Sequence, residues 1–91
     1  MGRETVLFKS EEKKNRTEIG DFFHRLGDKI TEGQVILRQG GNDITLDIPT
    51  GVTLEIKVED EEKKHKGIQH SLEIELKWFD NDQDSGGLEL G

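Results

Sequence analysis

The sequence predicts an α+β domain. One helix packs on one face of a mostly antiparallel, strongly twisted β-sheet, in the order strand, helix, then four strands. Three observations carry this. Apolar residues recur with a helical period over residues 17–32. They recur with a period of two from Gln34 to Trp78. Clusters of Gly, Pro, Asn and Asp separate the period-two runs.

Residues 4–9, ETVLFK, read as the first short strand, with Val6 and Phe8 on one face and Leu7 on the other. The helix follows a wholly polar connection. Ile19, Phe22, Phe23, Leu26 and Ile30 fall at i, i+3, i+4, i+7 and i+11, which places all five on one stripe. Asn15 with Glu18 three residues later forms a capping arrangement, and Gly33 is placed to end the helix. Gly20 and Gly27 each weaken a helix by about 1 kcal/mol relative to Ala, and would let it lie close to what is beneath it. Val35 and Leu37, then Ile44, Leu46 and Ile48, alternate on either side of RQGGND, which reads as a hairpin. Pro49-Thr50-Gly51 breaks the chain. Val52, Leu54, Ile56 and Val58 then run in phase, and Ile68, His70, Leu72, Ile74, Leu76 and Trp78 do the same after EDEEKKHKG. A three-residue loop ending at a left-handed Gly67 would set Lys64 opposite Ile68. Lys57 would then face Glu75, Glu55 would face Lys77, Ile56 would face Leu76, Leu54 would face Trp78, and Glu59 would meet Glu73. Trp78 is expected in the core near the sheet's edge, where its N–H can find a partner.

At 91 residues this is one domain, assigned to residues 1–79, with 80–91 as an acidic, disordered tail. The net charge of −7 disfavours nucleic acid as a general partner. No apolar run is long enough for a membrane span, and the first ten residues hold no apolar signal core. With no cysteine, the chain is expected to be cytoplasmic.

The pieces VLFKSEE, IGDFFHRLGDKITEG, DITLDIP, VTLEIKVE and LEIELKW together resemble the amphi-Trp domain family, over about residues 4–79. The resemblance implies a small archaeal or bacterial α+β domain with no assigned biochemical activity, so no functional residues carry over. The two helix glycines depart from the family pattern.

Candidate chemistry is sparse. Asp80, Asp82 and Asp84 have the opening spacing of a calcium loop, but Ser85 stands where the glycine belongs and Gly91 where the bidentate Glu belongs. A solvated tail is the preferred reading. His24, His65 and His70 point in different directions, which argues against a zinc site. His70 interrupts the apolar face and is read as a histidine at the open end of the sheet with one nitrogen in water. Lys13, Lys14 and Arg16, and Lys63, Lys64 and Lys66, each have acidic neighbours and read as solvated loops. No nucleophile–base arrangement stands out, so we expect no enzyme and no cofactor.

One imbalance of area remains. A 16-residue helix is roughly 24 Å long and 10 Å wide, whereas five strands span roughly 24 Å across. The helix covers two or three of them. Leu54, Ile56, Val58, His70, Leu72, Ile74 and Leu76 are the candidate uncovered surface. The expectation is a non-enzymatic interaction or structural module that associates through its sheet, with itself as a homodimer or with another protein. The alternative is a small-ligand or metal carrier using the open end of the sheet near His70 and Trp78.

Overall fold

A computed structural model describes residues 2–82. The chain divides into two compact units, Met1–Ile48 and Pro49–Gly91. The α+β class holds, with a helix followed by four antiparallel strands.

In the first unit, α1 spans Arg16–Glu32. Its start is fixed by a reciprocal capping box. The Glu18 N–H donates to Asn15 Oδ1 at 2.8 Å, and the Asn15 N–H donates to Glu18 Oε1 at 3.2 Å. Its end is fixed by Gly33, whose φ of 93° is left-handed and whose N–H donates to the Lys29 and Ile30 carbonyls. The chain then enters β1 (Gln34–Gln39) and returns in β2 (Asn42–Asp47). Gln39 pairs with Asn42, leaving a two-residue Gly-Gly turn with Gly40 at φ 59°. The Ile48 N–H extends the ladder to the Gly33 carbonyl at 2.8 Å. α1 packs along β1, and the one buried hydrophobic side chain among the described residues, Val35, is 4% exposed there. Leu26 and Ile30 are half-buried, while Ile19, Phe22 and Phe23 remain exposed.

The strand expected at 4–9 does not form, which corrects the sequence reading. Val6 and Leu7 are exposed, and without a paired edge they do not offset the cost of ordering the backbone. The segment is still held. Phe8 lines a groove with Phe22, Leu26, Val35 and Leu37, and Gln39 Nε2 donates to Glu12 Oε1 at 3.3 Å.

The second unit is a long hairpin of β3 (Thr53–Lys63) and β4 (Gly67–Lys77). The expected single five-stranded sheet is thus replaced by two separate two-stranded sheets. β3 also runs on through EDEEK, which the sequence reading gave to the connection. A run of alternating charges carries a strand when its partner supplies backbone bonds and nothing must be buried. Residues Asp80–Asp82 form one 3-10 turn. Most of the expected tail, with Asp84, lies outside the described residues.

The hairpin register differs from expectation by two residues. The Lys66 N–H donates to the Lys63 carbonyl at 3.1 Å, and both His65 (φ 70°) and Gly67 (φ 83°) are left-handed. The turn therefore starts one residue early, using His65 where only glycine was expected to invert. Histidine is enriched in that conformation. Lys57 now faces Glu73, Glu55 faces Glu75, Glu59 faces Ser71, Ile56 faces Ile74 and Leu54 faces Leu76. A shift of two keeps every side chain on its expected face. It exchanges the unfavourable Glu59–Glu73 pairing for a like-charge Glu55–Glu75 one, which Lys77 bridges.

Candidate functional site: the two faces of the β3–β4 hairpin

Alternation sorts the hairpin into an apolar face and a charged face. On the charged face, Lys77 Nζ donates to Glu55 Oε1 at 2.7 Å and lies 3.8 Å from Glu75. Lys57 lies 3.4 Å from Glu73 and 3.8 Å from Glu59. Each lysine therefore bridges two carboxylates. The hydrogen bond and charge of Lys77 hold the Glu55 carboxyl below its ordinary value. Glu59 and Glu73 raise Lys57, and Glu55 raises Lys77. All three side chains are about half exposed, which lets solvent screen the pairs and keeps them weak. The Glu55–Lys77 attraction read from the sequence is present, as a diagonal pair instead of a directly opposed one.

The apolar face is built of five rungs. Leu54 with Leu76, Ile56 with Ile74 and Val58 with Leu72 make three wholly apolar rungs at the open end. Asp60 with His70 makes the fourth, and Glu62 with Ile68 the fifth, beside the turn. Leu54, Ile56, Val58, Leu72 and Ile74 are each half or more exposed, Val58 at 75%; Leu76 is half-buried. The structure thus brings all seven candidate residues onto one face.

His70 is not at the open end, as the sequence reading placed it. It lies toward the turn, with Nδ1 donating to Asp60 Oδ1 at 2.6 Å, and both side chains are exposed. An ionised carboxylate only accepts, which makes Nδ1 the donor. The sequence reading missed this pair because its register set Asp60 against Leu72. Trp78 lies just past β4 and is half-buried, not in a core. It borders a shallow depression with Thr53, Leu76, Lys77 and Phe79. From His70 to the end of β4 is seven residues, or roughly 24 Å of extended strand. His70 and the depression beside Trp78 therefore belong to opposite ends of the face.

Among the described residues, no group of three or more His, Asp or Glu side chains gathers into a metal-binding cluster. Among them, no helix is long and apolar enough to cross a membrane.

The pairing of one capped amphipathic helix with an amphipathic hairpin that closes on Trp78 has a family counterpart. The Amphi-Trp domain model matches residues 1–91, the whole chain. The chain belongs to the Amphi-Trp domain family. No curated protein and no solved structure matches it. In this Amphi-Trp domain, the name describes the last strand well: Gly67–Lys77 alternates apolar and charged residues and leads directly into Trp78.

Proposed function

We propose that this Amphi-Trp domain is a non-enzymatic interaction module of the cytoplasm that self-associates, as a homodimer, through the apolar face of β3–β4. The observation that carries the reading is the contrast in burial. Val35 is the one buried hydrophobic side chain among the described residues, while five of the six Leu, Ile and Val side chains in three consecutive rungs are half or more exposed. Five such side chains left half exposed forgo several kcal/mol at about 25 cal/mol per Å². That is comparable to the whole stability of a small domain. A contiguous apolar patch of this kind marks an association surface, and identical chains most often pair about a two-fold axis.

The reading of a small-ligand carrier is less favoured, because His70 and Trp78 lie too far apart to share one site. The test is sedimentation equilibrium from micromolar to millimolar protein, with Trp78 fluorescence followed in parallel. A dimer that dissociates on dilution, with a matching emission shift, supports the proposal. A monomer at millimolar concentration refutes it.

A further inference from the structure

We propose that the groove between the N-terminal segment, α1 and β1 binds a small amphipathic carboxylate, a single negative charge on an apolar chain, with Arg25 receiving the head group. The site lies wholly within the first unit, Met1–Ile48, and does not depend on self-association.

The groove holds about 480 Å³, within the range of small-ligand sites. Its floor is apolar. Phe22 and Leu26 come from α1, Val35 and Leu37 from β1, and Phe8 closes one side from the N-terminal segment. That segment joins no ladder, yet Phe8 is half-buried, and the Gln39–Glu12 hydrogen bond at 3.3 Å ties the segment to the end of β1. The stretch that does not form a strand thus serves as a wall.

The rim supplies the selectivity. Arg25, Lys29 and Arg38 line it against one carboxylate, Glu12. This reverses the sign of the whole chain, whose net charge is −7. Glu12 is already engaged, by Lys14 at 3.4 Å and by Gln39. Lys29 has Glu32 at 3.6 Å, and Arg38 has Asp43 at 3.5 Å, both as exposed pairs of little strength. Arg25 has no hydrogen bond or ion pair among the described residues.

Helix geometry sets Arg25 beside the floor. Phe22, Arg25, Leu26 and Lys29 fall at i, i+3, i+4 and i+7 of α1, so two cations stand one turn apart next to two apolar side chains. Like charges at that spacing weaken a helix, and an anion between them relieves the repulsion. A guanidinium fork takes both oxygens of a carboxylate. One uncommitted guanidinium matches one negative charge, which favours a monocarboxylate over a phosphate dianion. The tail then lies along Phe22, Leu26 and Val35, where it removes apolar surface from water.

The test is a titration of the isotopically labelled chain with decanoate, kept below the concentration at which decanoate aggregates, following backbone amide chemical shifts. Saturable shifts are expected at Leu26, Val35 and Leu37. Decanol and decyltrimethylammonium carry the same tail with a neutral and a cationic head, and should bind about tenfold or more weakly. Arg25→Gln should weaken decanoate by about tenfold or more and leave decanol unchanged. Arg25 is exposed on α1, so amides away from the groove should superpose on those of the unaltered chain. Phe8→Ala should weaken decanoate and decanol alike. Lys66→Gln removes a charge from the turn of the second unit and should change neither. Equal affinity for decanoate and decanol, or an unchanged decanoate affinity in Arg25→Gln, refutes the carboxylate site. Shifts confined to the β3–β4 apolar face, at Leu54 and Ile56, mean that the tail merely adheres to open apolar surface, and they overturn the proposal. So does the absence of any saturable shift.

Discussion

Replacing Ile56 with threonine isolates the proposed association surface from the fold that carries it. Threonine keeps the β-branch, so the strand preference of the position is nearly unchanged. Ile56 is 60% exposed in the single chain. Full burial of such a side chain is worth about 1.5–3 kcal/mol, so association has roughly 1–2 kcal/mol per copy still to gain there. A two-fold axis counts the residue twice, giving a loss of roughly 2–4 kcal/mol per dimer when both side chains are cut back. At 1.4 kcal/mol per decade, the dimer dissociation constant should rise by roughly 30- to 700-fold. Sedimentation equilibrium of the variant against the unaltered chain reads this directly. Glu61→Thr, on the charged face of the same strand, is the control and should leave the constant unchanged. Far-ultraviolet circular dichroism should show both variants folded alike at concentrations where both are monomeric. An Ile56→Thr constant within a factor of three of the unaltered chain would refute the assignment of this face as the contact.

Three further outcomes follow from local physics. Gly20 and Gly27 sit inside α1, and a Cβ at either would meet nothing within 4 Å, so the close approach read from the sequence is absent. Gly20→Ala with Gly27→Ala should raise stability by about 1 kcal/mol each, seen as a higher melting temperature. Asn15→Ala removes the acceptor of the Glu18 N–H and should cost about 1 kcal/mol, with thermal melts at the helix wavelength as the measure. The depressed Glu55 contributes stability that is present above its ordinary value of 4.5 and lost as pH falls through its folded value. The raised Lys57 and Lys77 contribute stability present below their ordinary 10.5 and lost as pH rises through their folded values. Denaturant melts against pH should therefore show these pairs contributing a plateau between acid and strongly alkaline limits. Glu55→Gln should abolish the acid arm of that contribution.

Strong periodicity made the helix and hairpin faces legible in advance. The five-residue stripe from Ile19 to Ile30 and the Asn15–Glu18 cap located α1 to within one residue of Arg16–Glu32. The alternation from Leu54 to Leu76 assigned every hairpin side chain to its observed face, because a two-residue slip conserves faces. What escaped was set by backbone, not pattern. His65 adopts a left-handed conformation that only glycine was expected to adopt, so the turn began early and the partners moved. The Asp60–His70 contact depends wholly on that turn and was invisible without it. Residues 4–9 alternate like a strand, yet alternation states only that a segment could serve as one. A free sheet edge must be present to receive it, and a single sequence does not display that.

The scarcity of buried side chains beside Val35 has a consequence for how the protein persists in a cell. A chain that finishes its dry interior by meeting its own copy has a melting temperature that climbs with its abundance. Scarce copies spend more time open to proteases, and plentiful copies shield one another. Under the proposed self-association, expression level would then set turnover.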